Sequence, residues 1–471
     1  MTIVGPFASP PFIYPKSLTF FPRFSRPEPA EQLQILGKNI KTFQKIAGRA
    51  RVPALILWPM TSHPPSSAFD EILVSPDFIK NPYAVLRQMR EECPVYWSEA
   101  IGGWILTRYD DILASFKNTS YFSNENRLGK AVEYLPPEKR ANYKAFENHY
   151  ATKGLLHSDP PDHTRLRSLI IKEFTPSVVE QMRPRIQAVV NSLIDAAEKK
   201  GHMDLVPEFA AALPVGVIAE ILGVPPQDRH LFKKWADAIL SFQGVNKPSE
   251  ADLSRAQQGL VEIRPYLLGM INERRQRPTQ DLMSKFVAAE SEGQRLTESE
   301  LINTCVTLFT AGHETTLSLI SNTIYTLLRH PHQLELLQAN PELLDSTLEE
   351  SLRYESPVAR QTRLMKQDFT LNGQLIRKGQ MVFQMLNAAN RDPAYFADPD
   401  KFDIRREKNR HIAFGQGIHF CVGATLARTE GFVAIGTLIR RLPKLRLVNP
   451  EADWDIQKRN SRVLKTLHLE F

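Results

Sequence analysis

The sequence predicts a mainly α-helical protein with a minor, segregated β region, and three observations carry that reading. From Asp162 to Leu352 apolar residues recur at helical spacing, interrupted chiefly at Pro176, Pro214, Pro225, Pro226 and Pro331. β-type runs are short and fall in two places, Val95 to Thr107 and Phe369 to Phe383. With 42% hydrophobic residues over 471 positions and no internal repeat or low-complexity tract, the chain can bury a sizeable core.

The elements follow in order. Residues 1–30 are rich in Pro, Phe and Ser and carry no period. Between Glu31 and Arg51 the apolar stripe Leu33, Leu36, Ile40, Phe43, Ile46 runs among Lys38, Lys41 and Lys45. That is a basic amphipathic helix, able to touch a membrane surface or to dock on the body. Residues 1–60 hold eight Lys or Arg against two Glu, a net +6 of the chain's total of +7. The remainder is near neutral, which excludes a nucleic-acid binder with a basic folded body. The chain therefore divides into a basic, Pro-rich extension over 1–68 and a body over 69–471. No apolar run approaches the ~20 residues of a membrane span. Three scattered cysteines, Cys93, Cys305 and Cys421, argue against a disulfide scaffold and for a reducing, cytoplasmic setting.

Within the body, Pro82 opens a helix that runs through Met89. Val95–Trp97 and Gly103–Thr107 form a hairpin, and residues 121–156 are polar, weakly periodic and irregular. Short strands return at Phe369–Leu371, Gln374–Ile376 and Met381–Phe383, the first two around an Asn372-Gly373 turn. A final helix starts at Ala424 and ends near Leu442.

Several constellations carry chemistry. The helix over Glu298 to Arg329 has Ala311-Gly312-His313-Glu314-Thr315-Thr316 at its centre, a poor helix-forming run in an apolar element. The Thr315 hydroxyl is expected to bond back to the Ala311 carbonyl and bend the helix, while Gly312 lets a bulky group approach. An acid followed by an alcohol at such a point is what a buried proton relay requires. His313-Glu314 begins a His-Glu-x-x-His zinc pattern, but position 317 is Leu, so that reading fails. Gly415-x-Gly417 starts a dinucleotide loop whose third glycine position is Phe420, so that fails too. Glu350 and Arg353 share a helix face, as do His163 and Arg167. With Arg363 and His419, the latter pair can form a cluster of donors for carboxylates. The stretch His411 to Gly423 places Cys421 in a Gly-punctuated loop at the mouth of the last helix. There the free N–H groups lower a thiol pKa and prepare either a nucleophile or a metal ligand.

Phe414-x-x-Gly417-x-x-x-Cys421-x-Gly423 resembles the haem-ligand signature of the cytochrome P-450 family. Ala311-Gly312-His313-Glu314-Thr315 resembles its oxygen-activation motif, Glu350-x-x-Arg353 its Glu-x-x-Arg motif, and His163-x-x-x-Arg167 the propionate pair of soluble bacterial members. Phe402 to Arg406 resembles the segment that supplies the third residue of the Glu-Arg-Arg triad, Arg406. The resemblance covers about residues 69–471. It implies the cytochrome P-450 fold, a haem b cofactor with Cys421 as axial iron ligand, and monooxygenase chemistry on an apolar organic substrate. Polyketide, macrolide and fatty-acyl compounds are the classes that it brings to mind.

The resemblance further implies that His163, Arg167, Arg363 and His419 meet the propionates and that Phe414 packs beside the sulfur. Gly417 and Gly423 let the loop and helix approach the porphyrin, and Gly312 makes room for dioxygen. Thr315 and Glu314 are the catalytic pair, a hydrogen-bonding alcohol and a proton-passing acid. The chain holds no flavin or ferredoxin domain, so electrons come from a separate ferredoxin and its reductase, docking on Arg406, Lys408, Arg410 and Arg428. The rival readings are a haem-thiolate peroxygenase or isomerase, which would not need the Glu314–Thr315 pair, and a non-catalytic haem-binding sensor.

Overall fold

The computed structural model describes residues 69–243, 248–291 and 296–471. The basic stripe over 31–51, with its membrane-surface contact, lies outside the described residues, as does the rest of 1–68. No helix among the described residues is long and apolar enough to cross a membrane.

The β region has one five-stranded sheet. Its hairpin β1 (Val95–Ser98) and β2 (Gly103–Leu106) pairs Val95 with Leu106 and Trp97 with Trp104. Beyond it lie β3 (Phe122–Ser123), β4 (Arg360–Met365) and β5 (Met381–Met385), in the spatial order β1-β2-β5-β4-β3. Strand β5 runs parallel to β2, with Trp104 opposite Val382, and antiparallel to β4, with Arg363 opposite Val382. β4 was absent from the sequence expectations. Its Arg-Gln-Thr-Arg start lacks the apolar alternation of a half-buried strand, because those polar side chains serve the site rather than solvent.

The helices are α1 (Asp162–Ile170), α2 (Ala212–Ile221), α3 (Arg229–Leu240), α4 (Glu298–Arg329), α5 (Leu344–Tyr354) and α6 (Ala424–Arg441), with others around them. The expected proline punctuation takes a specific form. Pro176 and Pro331 each occupy the first position of a helix, where a missing N–H costs nothing, and Pro214 is the third residue of α2. The span 121–156 is less irregular than its composition implies. It includes the helix Lys144–Ala151, fixed by burial of Phe146 and Tyr150 rather than by local propensity.

Helix α4 is the axis of the molecule. A capping box between Thr297 and Glu300 starts it, and its 32 residues are buried along most of their length. Several of its buried hydroxyls bond within the helix: Thr310 donates to the Val306 carbonyl at 2.8 Å and Ser321 to that of Leu317 at 2.9 Å, whereas Thr304 Oγ1 is left without a partner. Helix α6 packs closely on it, since a Cβ at Gly431 would lie 3.1 Å from Leu348 and 3.3 Å from Leu319.

Candidate active site

Cys421 is presented by a loop that only glycine can complete. Gly417 has φ +71°, and a Cβ there would sit 2.5 Å from the Phe116 carbonyl oxygen. The loop then turns through Gly417–His419, and the Cys421 N–H donates to the Phe414 carbonyl at 3.0 Å. The thiol faces a cavity of about 350 Å3 whose walls include Phe414, Gly423, Ala311, Gly312, Glu314 and Thr315. A Cβ at Gly423 would meet nothing within 4 Å, so the helix mouth stays open to the cavity.

Burial pushes the Cys421 thiol up, against the Gly423 N–H, Arg167 and Arg428, which favour the thiolate. The acidifying effect expected of the helix mouth therefore exists but is outweighed by desolvation. A thiolate here needs a further positive partner on the cavity side, which suits a metal ligand better than a free nucleophile.

The opposite wall is the centre of α4. Thr315 donates to the Ala311 carbonyl at 2.7 Å, as expected. The helix is not interrupted at Gly312; all of Glu298–Arg329 stays α-helical. The weak run appears instead as a gap in burial, with Ala311 exposed to the cavity and a Gly312 Cβ meeting only Ile218, at 4.0 Å. Glu314 is not free: Lys458, from the turn before the last strands, holds its carboxylate at 2.5 Å. Its neighbour His313 points away from the cavity, toward Asp237 on α3 at 3.9 Å.

One rim gathers positive and neutral donors, and the nearby Asp159 carboxylate is already held by Ser123 and Lys366. The His163 and His419 rings lie 4.1 Å apart, and Nε2 of each is buried without a hydrogen-bond partner. Burial, reinforced by His163, Arg363, Arg127 and Arg167, drives the His419 imidazole down to about 2. Burial, then Arg127, lowers the Arg363 guanidinium to about 9. Arg167 also reaches across to donate to the Phe420 carbonyl at 2.7 Å. The four residues named from the sequence thus converge. Arg127, which donates to Thr362 at 3.0 Å, joins them and was missed, because the polar stretch 121–156 gave it no period to stand on. Orphaned buried donors are costly unless an anion meets them. A flat group with two carboxylates on one edge and a metal facing Cys421 fits this donor set.

Glu350 and Arg353 are not a surface pair. Both side chains are fully buried and bonded at 2.8 Å, and Arg406 completes the group at 3.0 Å from Glu350. Arg353 also donates to the Asn390, Pro399 and Lys401 carbonyls, tying α5 to the segment before the Cys421 loop. Of the expected basic docking residues, Arg406 is spent on Glu350 and Arg428 on Glu349, leaving Lys408 and Arg410 exposed.

Above the sulfur the lining is mainly apolar, with Ile218, Ile239, Leu240, Val306, Leu308 and Val358. Phe242 is packed behind the wall against Phe146 and Tyr150, and Arg360 is no free handle, since it donates to Asn460 and lies over the Phe383 ring. Glu430, unremarked in the sequence, lines the cavity with its carboxyl raised to about 8 by burial.

Residues 128–470 match the family model described as Cytochrome P450. The cytochrome P450 CYP107DY1 of Priestia megaterium is 41% identical over 78% of this chain and 89% of its own length. The polyketide biosynthesis cytochrome P450 PksS of Bacillus subtilis is 37% identical over 83% of this chain and 95% of its own. Among solved structures, P450BioI in complex with a hexadec-9Z-enoic acid ligated acyl carrier protein superposes with a TM-score of 0.78 at 36% identity, over 84% of this chain and 100% of that one.

Proposed function

This chain belongs to the cytochrome P450 family, a haem b monooxygenase family, and from that premise we propose that it oxygenates a polyketide-derived or fatty-acyl substrate with electrons from a separate ferredoxin and reductase. The single observation that carries the reading is the pairing of the cavity-facing Cys421 thiol with a rim of orphaned donors. The catalytic unit would be 69–471, with Cys421 as the residue that would hold the haem iron. His163, Arg167, Arg363, His419 and Arg127 hold the propionates, with charge-assisted bonds in which arginine is the strong partner. When bound, the haem supplies the oxidising chemistry, and a thiolate ligand favours O–O cleavage.

The protein's own residues do the rest. Phe414 and the Gly417 turn keep water from the sulfur, as second-shell groups do around a metal ligand. The open space beside Gly312 admits a small molecule between α4 and the cofactor. Thr315 exchanges its Ala311 bond for one to that molecule, and Glu314 passes it a proton after leaving Lys458, which keeps the acid at the solvent side meanwhile. The apolar lining orients a hydrocarbon segment over the centre of the cavity. Lys408 and Arg410 form the remaining exposed basic surface for the electron donor.

The names of PksS and P450BioI, together with that lining, support the substrate class. The test is spectroscopic. Reduced, carbon monoxide-treated protein should show a far red-shifted Soret band that Cys421→Ala abolishes; a colourless protein would overturn the reading. Free and carrier-bound long-chain acyl compounds and linear or macrocyclic polyketides should shift the ferric spectrum and be oxygenated with reductant. Turnover with peroxide alone would assign a peroxygenase instead.

A further inference from the structure

Glu349 and Glu350 are adjacent on α5 but take different partners. Glu350 is sealed among arginines, whereas Glu349 receives donors from both sides of the Cys421 loop. His411, before the loop, places Nε2 at 3.0 Å from its carboxylate. Arg428, after the loop, forks onto it with Nε at 2.6 Å and Nη2 at 2.8 Å. The tautomer of His411 follows from its other nitrogen. Nδ1 accepts the Ala413 N–H at 3.2 Å, so the ring proton sits on Nε2 and is donated to Glu349.

Arg428 has a second contact. Its guanidinium lies over the Phe414 ring, 4.4 Å from the centroid. Phe414 in turn accepts the Cys421 N–H through its carbonyl. One carboxylate thus joins the entry of the loop, its exit and the cation over Phe414. None of these contacts is needed to build α5, which Glu350 already anchors through Arg353 and Arg406.

Building on the haem-thiolate reading above, we propose that Glu349 is a positioning residue for the sulfur ligand: it clasps the two ends of the Cys421 loop and holds Arg428 against Phe414, so that the sulfur stays ligated as thiolate. The charges of Arg428 and Glu349 cancel overall, and the guanidinium is held over the Phe414 ring. Removing the carboxylate frees the cation to leave the Phe414 ring for water, and the loop gains freedom at both ends.

The experiment uses purified holoenzyme of the parent, Glu349→Gln, Arg428→Met and the double variant. Each is reduced, bound to carbon monoxide and followed in mild urea as the red-shifted band converts to the shorter-wavelength band of a complex that has lost its thiolate. Glu349→Gln should retain haem near the parental ratio and convert roughly tenfold faster, the equivalent of about 1.4 kcal/mol. Arg428→Met should do the same, and the double variant should add little to either, since both remove one clasp. The reduction potential should shift in both single variants. Conversion in Glu349→Gln within twofold of the parent overturns the proposal. So does a Glu349→Gln protein that folds without haem, which would assign Glu349 to the structural work of Glu350. A parent protein without the red-shifted band fails the haem-thiolate reading itself, a result distinct from either.

Discussion

The floor and the roof of the cavity are held by different means. The floor, which carries Cys421, is cross-bonded. Glu350 alone accepts from Arg353 on its own helix and from Arg406, Asn409 and the Asp403 backbone, which tie the segment before the Cys421 loop to α5. The roof is mainly apolar packing from separate elements, chiefly Ile218 of α2, Ile239 and Leu240 of α3, Val306 and Leu308 of α4 and Val358. A ligand atom that must meet a metal needs a position fixed by directional bonds. A wall that must accept a greasy molecule needs shape and tolerates change. The difference teaches that rigidity is concentrated where the chemistry is invariant and spared where the substrate is chosen.

That contrast can be broken first at the floor. Glu350→Ala leaves Arg353 buried with its carboxylate gone, and loss of one partner of a buried pair costs about 3–5 kcal/mol. Denaturant unfolding should show a destabilisation of that size or no folded protein. A midpoint close to the parent's would mean that the floor is not built on this carboxylate. At the rim, His419→Phe removes an orphaned donor. Hydrogen bonds to charged groups are worth roughly 1.5–3 kcal/mol, so haem should transfer to an acceptor protein at least tenfold faster. The haem-free variant should meanwhile melt no lower than the parent. Cofactor retention equal to the parent's would remove His419 from the propionate set.

On the far wall, Thr315→Val keeps size and helix while deleting the hydroxyl. Product formed per reductant consumed should fall roughly tenfold, with stability within about 0.5 kcal/mol of the parent. An unchanged yield would show that the alcohol carries no proton. A last test, of pH dependence, concerns Glu430. Its carboxyl is raised to about 8 in the folded chain, against ~4.3 for an ordinary glutamate. Its favourable contribution is therefore complete below about pH 4 and is lost as pH climbs to 8. Glu430→Gln escapes that loss, so its melting temperature should gain on the parent's between pH 5 and 8. A constant gap across that range would argue that Glu430 is solvated.

The same division governs what the sequence made legible. The floor is specified by residue identity at fixed offsets, Phe414, Gly417, Cys421 and Gly423 in one loop and Glu350 with Arg353 on one helix, and these were readable. So was the acid-alcohol step of α4, with the Thr315 hydroxyl bonded back to Ala311 as expected. The surroundings of those residues were not readable. That Glu314 is held by Lys458, or Arg428 by Glu349, depends on contacts between segments more than 75 positions apart. Arg127 shows the limit most plainly. Its stretch has no strong period, and only the fold brings it to Thr362 and the donor cluster.

The unmatched donors at the rim have one more consequence, for how the protein is made. The buried His163 and His419 nitrogens, beside the cationic Arg127 and Arg363, find no partner within the protein, so an anion bound there stabilises the folded chain. Mass action then makes haem a ligand for folding as much as for catalysis. The amount of sound enzyme in a cell should follow its haem supply, and newly made chains should survive proteolysis in proportion to how soon they are filled.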